Sequence, residues 1–106
     1  MRILPFVVNG QTLDKADEES FESLIRGSKG YLKCSFKFNK SWDDYVKAVE
    51  FIGDENSEFY YLKDDMADVP NSIAALPYFR VKVYGIVDSK TQFSTNTVLV
   101  RQKRGN

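Results

Sequence analysis

Between residues 31 and 38 every second side chain is apolar, and a chain carrying such a run has few ways to hide it. Leu32, Cys34, Phe36 and Phe38 fall on one side of an extended backbone and Lys33, Ser35 and Lys37 on the other, which predicts a strand with one buried and one wet face. The alternation returns at 79–85. There Phe79, Val81 and Val83 face one way and Arg80, Lys82 and Tyr84 the other, predicting a second half-buried strand. Two such runs in 106 residues make this a β-rich chain.

Weaker signals add to these two. Residues 93–100 are rich in Thr and Val, but their alternation slips between Asn96 and Thr97, as one extra unpaired residue would make it slip. The apolar, β-branched run 3–8 contains Pro5, which has no N–H to give to a ladder, so 1–9 is expected to be an edge or exchange strand followed by a turn at Asn9 and Gly10. Residues 59–62, between polar runs, predict a short strand. In 41–52, Trp42, Tyr45, Val46, Val49 and Ile52 sit at helical spacing, although the β-branched content also suits a strand; periodicity alone favours the helix slightly. Residues 14–26 read equally as a helix or as a strand over 21–26. Near 70–76 a short helical turn is expected, capped by Asp68, entered at Pro70 and stopped at Pro77.

Length and composition suit one domain over 1–106, with a radius of gyration of about 13 Å. At 42% hydrophobic residues the chain is too apolar to stay disordered, and no run is long enough to span a membrane. A single cysteine and the absence of a secretory signal lead to the expectation of a soluble chain starting at Met1 and made in a reducing compartment. With no histidine there is no Ser-His or Cys-His pair and no imidazole ligand. Cys34, on an apolar face, reads as core filler. The acidic pairs Asp43, Asp44 and Asp64, Asp65 lack calcium-loop spacing and read as solvated turns. No catalytic residue, metal site or cofactor is expected.

Lys33, Lys37, Arg80, Lys82 and the basic tail 101–106 raise nucleic-acid binding, but a net charge of zero argues against it. Tyr31, Tyr45, Tyr60 and Tyr84 offer flat rings with polar tips, suited to protein contact more than to sugar.

Residues 36–51, with Phe36, Phe38, Trp42 and Asp43 in an F-x-F-x-x-x-W-D arrangement, resemble a pattern found in small virion proteins of bacteriophages infecting Gram-positive bacteria. The Tyr60 to Leu62 block, the Val69-Pro70 turn, the run 79–85 and the closing stretch from Thr95 through Val98 and Val100 are similar to that family's later blocks, in the same order over residues 30–103. The resemblance implies an immunoglobulin-like antiparallel β-sandwich of about seven strands. It also implies that 46–52 is a strand with Trp42 turned inward at a corner, that 24–29 starts the first long strand pairing, and that Leu32, Cys34, Phe36, Phe38, Trp42, Phe51, Phe79, Val81 and Val83 form the core.

The expected role is then a non-enzymatic virion accessory protein, synthesised in the host cytoplasm and binding other phage structural proteins of a baseplate, tail or head fibre, with homo-oligomerisation open. Candidate contact residues are Ile3, Leu4, Phe6, Val8, Tyr31, Tyr60, Arg80 and Tyr84, and deletion of residues 1–9 is expected to abolish assembly while leaving the sandwich folded. The rival readings are a small phage-encoded inhibitor of a host or defence protein, and a cell-wall carbohydrate module using Tyr60 and Tyr84.

Overall fold

Phe79, Val81 and Val83 are all fully buried, and the strand that carries them, β7 (Tyr78–Val87), is the spine of the molecule. The computed structural model describes residues 1–105; Asn106, the end of the basic tail, lies outside the described residues. On one side β7 pairs with β4 (Val46–Ile52), which pairs with β5 (Ser57–Tyr61); on the other it pairs with β8 (Lys90–Ser94) and then β9 (Val98–Arg101). The second sheet runs in the order β2 (Thr12–Lys15), β1 (Arg2–Asn9), β3 (Leu32–Phe38), β6 (Met66–Asp68). The fold is an all-β sandwich with a radius of gyration of 13.3 Å. The described residues form nine strands where about seven were expected, because β2 and β6 are short and the run 93–100 is divided in two.

Among the described residues the strands pair antiparallel except once: β1 runs parallel to β3, from Arg2 beside Leu32 to Val8 beside Phe38. After β1, the hairpin strand β2 returns the chain to the end where β1 began, and residues 16–31 cross below before β3 starts. Arg2 holds this crossing, its guanidinium donating to the carbonyls of Ser20 at 3.0 Å and Glu22 at 2.5 Å. Phe21 plugs the same end against Phe6, ring centroids 5.1 Å apart.

This arrangement corrects the reading of residues 1–9. β1 is bonded on both sides, so it is an interior strand, and Leu4, Phe6 and Val8 are core residues with at most 1% exposure rather than contact residues. Pro5 is tolerated because β2 has run out beside it. Its carbonyl accepts from Ala16 at 2.9 Å on that side, where the missing N–H would also have pointed.

The inner faces of the two sheets meet through Leu32, Cys34, Phe36, Phe51, Phe79, Val81 and Val83, with Phe38 packed at the margin. Trp42 closes one end. It sits in a 3₁₀ turn (Lys40–Trp42), fully buried, with Nε1 donating to the Gly10 carbonyl at 2.8 Å and its ring 4.4 Å from Phe93. Gly85 makes room for that stack, since a Cβ there would lie 2.6 Å from the Phe93 ring and 3.2 Å from Trp42.

Residues 46–52 are strand, overriding the helical spacing, because Val49 and Phe51 point inward between β5 and β7 while Ala48 and Glu50 point outward. The slip near Asn96 is an extra residue. From the Tyr84–Ser94 pair to the Val81–Val98 pair, β7 passes through Lys82 and Val83 and its partner through Thr95, Asn96 and Thr97. Thr95 Oγ1 takes over there as acceptor for the Val83 N–H at 3.1 Å.

Three smaller expectations change. Segment 24–29 does not open a long pairing; it makes an isolated bridge between Ile25 and Lys103. The stretch left open at 14–26 holds the end of β2 and a 3₁₀ turn (Glu19–Phe21). The helix α1 is Asn71–Ala74 with Pro70 at its N-cap and no side-chain cap; Asp68 belongs to β6.

Candidate protein-binding edge

A strand at the margin of a sheet keeps one row of backbone groups unpaired, and which residues own that row follows from the register. In β5 the partners are Tyr61 with Ala48, Tyr60 with Val49, Phe59 with Glu50, Glu58 with Phe51 and Ser57 with Ile52. Just beyond the strand, the Leu62 N–H donates to the Lys47 carbonyl at 2.9 Å, and the Gly53 N–H to the Asn56 carbonyl at 2.8 Å. Hydrogen-bonded pairs alternate along an antiparallel ladder. Tyr60 and Glu58 therefore spend their backbone groups on β4, while Ser57, Phe59 and Tyr61 direct theirs outward.

The side chains of those same outward residues lie on the solvent face of the sheet. Phe59 is 47% and Tyr61 59% exposed, their rings 5.9 Å apart, and Phe59 also meets Tyr84 of β7 at 5.5 Å. Ala48 lies between Tyr61 and Tyr84 in the register and is fully buried beneath them although it faces outward. The Tyr84 hydroxyl donates to Glu50 Oε1 at 2.5 Å, and Lys82 Nζ stands 5.3 Å over the Tyr84 ring. Partial burial and then the Glu50 bond push the Tyr84 phenol up from 10 to about 12. Val46 extends this apolar face, and at its far end the Arg80 guanidinium stands 5.9 Å over the ring of Tyr78.

On the inner side of β5, Tyr60 borders a groove of about 510 Å³ that is lined further by Tyr61, Lys63, Met66, Asp68 and Pro70. The Tyr60 hydroxyl donates to Glu58 Oε1 at 2.5 Å and the Ser72 hydroxyl to Oε2. These two bonds, the one from Ser72 first, hold the Glu58 carboxyl below the usual range, and the Glu58 bond holds the Tyr60 phenol above its own. The turn from β5 to β6 is Asp64 and Asp65, both left-handed at φ 53° and 57°, a two-residue hairpin turn. This is where the second acidic pair goes.

The structure divides the expected contact residues. Tyr84 and Arg80 share the outer face of the β7 sheet, and Tyr60 sits at the groove beside them. Ile3, 40% exposed, and Tyr31, 46% exposed, belong to the other sheet. Tyr60 and Tyr84 lie on opposite faces of one sheet, because their register partners Val49 and Ala48 do, so they form no common sugar platform. The basic side chains are split as well, Lys33 and Lys37 on the β3 sheet and Arg80 and Lys82 on the β7 sheet. Phe59, Tyr61, Val46 and Tyr78 were missed. The signal lay in residues 59–62, where aromatic side chains fall on both faces of a strand.

Cys34 is fully buried, and burial pushes its thiol far above the range in which it forms a thiolate. Among the described residues, no three His, Cys, Asp or Glu side chains gather as a metal site, and no helix is long and apolar enough to cross a membrane. No protein-family model and no curated protein matches this chain.

Proposed function

We propose that this protein is a non-enzymatic accessory component of a phage virion, assembling with structural proteins of the baseplate, tail or head fibre, further copies of itself included, through the outer face and free edge of the β5–β4–β7 sheet. The observation that carries the binding mode is the coincidence at β5 of unpaired backbone groups with the exposed rings of Phe59 and Tyr61. An edge strand is ordinarily guarded by lysine or proline, and β5, with the composition Ser-Glu-Phe-Tyr-Tyr, has neither. Aromatic residues of this kind anchor protein interfaces because they bury large apolar area and still satisfy a polar tip. The virion assignment rests on the ordered blocks from Phe36 to Val100 that resemble phage structural modules.

Quantitative mass spectrometry of gradient-purified particles, against the soluble fraction of infected cells, tests this reading. Recovery with the particle at a fixed ratio to the major capsid or tail proteins is the expected result. Confinement to the soluble fraction overturns it and favours the inhibitor.

A further inference from the structure

We propose that the free edge of β5 is filled by β5 of a second copy of this chain, the two strands pairing antiparallel about a two-fold axis that passes through Phe59. This deepens the reading of the same surface as a protein-contact site and rests on it.

The argument is one of parity. An isologous antiparallel pair centred on a residue works only if that residue directs its own N–H and C=O toward the partner, because the two copies must exchange both bonds. Phe59 does so, and Ser57 and Tyr61 share its parity. In the register centred on Phe59, Ser57 stands opposite Tyr61 of the second copy and Tyr61 opposite its Ser57. Every outward N–H and C=O of β5 then finds a partner. A register centred on Glu58 or Tyr60 fails, since those residues spend their backbone groups on β4.

Side chains agree with the same register. On the outer face each Tyr61 ring meets the small Ser57 of the other copy, and the two Phe59 rings meet at the axis, joining the Phe59–Tyr84 contact of one copy to that of the other. On the inner side Glu58 of one copy stands opposite Tyr60 of the other, so the only charged residue of β5 does not face itself. The groove beside Tyr60 leaves space for Glu58 of the other copy to enter. Among the described residues no other edge offers this: β9 has four residues, and Lys103 just beyond it is already bonded to Leu24 and Arg26. β6 has three residues, β2 is answered at its centre, where Leu13 bonds Asn96, and β8 begins with Lys90.

The test is sedimentation equilibrium of the purified chain over a wide concentration range, with Phe59→Lys and Phe59→Pro alongside. The wild type is expected to show a monomer–dimer equilibrium. Phe59→Lys sets two ammonium groups at the axis, and Phe59→Pro removes an outward N–H without touching the β4 ladder; each is expected to weaken the dimer by about tenfold or more. Circular dichroism of both variants confirms folding, and Tyr61→Lys replaces either one that fails to fold. A wild type that stays monomeric overturns the proposal, as does a dimer indifferent to Phe59→Lys. A dimer lost in Phe59→Lys but intact in Phe59→Pro overturns the strand pairing. Failure here leaves particle incorporation to stand or fall by its own mass-spectrometric test, so the two readings fail separately.

Discussion

Two edge strands of this sandwich, β2 and β5, leave backbone groups facing away from their neighbours, and the chain treats them differently. Leu13, in the middle of β2, gives its N–H to Asn96 Oδ1 at 2.8 Å and receives Asn96 Nδ2 on its carbonyl at 3.0 Å. The side-chain amide thus stands in for one residue of a missing strand. Gln11 adds a bond to the Ser94 carbonyl at 3.2 Å, and the Asn96 N–H reaches the Gln11 carbonyl at 3.4 Å. At β5 nothing corresponds to Asn96, and the rings of Phe59 and Tyr61 stand exposed beside the open groups. A finished edge has its polar groups answered from within the chain; an edge left open beside aromatic rings is fitted to be answered from outside it.

The contrast is broken most completely by removing the strand that supports β2. Deleting residues 1–9 is expected to unfold the protein, because it withdraws Leu4, Phe6 and Val8 from the core at about 2 kcal/mol each, together with the ladders to β2 and β3, against a total stability of about 5–15 kcal/mol. Loss of the thermal transition by circular dichroism is the readout, and a deleted chain that still melts cooperatively contradicts the interior placement of β1. Next in size, Asn96→Ala leaves two groups of Leu13 unanswered and is expected to cost about 2 kcal/mol in urea unfolding. It should also add a new mode of self-association through β2. A variant as stable as wild type would show that water serves Leu13 equally well.

Tyr84 supports the open edge from behind, and Tyr84→Phe is expected to cost about 1 kcal/mol at neutral pH. Its raised pKa predicts a direction with pH. The folded state holds the phenolic proton more tightly than the unfolded chain, so this contribution is whole below pH 10 and is lost as pH rises from 10 through about 12. Urea melts across that window should show a decline that is shallower in Tyr84→Phe, and parallel declines would remove Tyr84 as the cause. The smallest stability effect belongs to Phe59→Lys, expected within about 0.5 kcal/mol of wild type. A large loss in the monomer would mean that Phe59 serves the fold more than a partner.

What was legible in the sequence follows from how local each signal is. β3 and β7 were readable because their faces alternate over seven and eight residues. β2 and β6 have four and three residues, too short for a period to show. Pro5 misled because a missing N–H argues against pairing on one side only, and the end of β2 left that side free. The 41–52 spacing fitted two periods, and the inward packing of Val49 and Phe51 decided between them. At the candidate edge the strand itself was visible at 59–62, but its position at the margin depends on β4 and β7, which the run does not encode. Asn96 was visible only as a slip in alternation; its partner Leu13 lies 83 residues away.

That separation has a consequence for synthesis. A ribosome adding about 5–20 residues per second releases β1 and β2 several seconds before it reaches Asn96, and in that interval β2 is as bare as β5. The nascent chain therefore passes through a stage in which the β2 margin is as adhesive as the β5 margin that stays open. Crowded polysomes are where this protein is most exposed to pairing with the wrong neighbour, and a slow stretch of translation before residue 96 would lengthen that exposure.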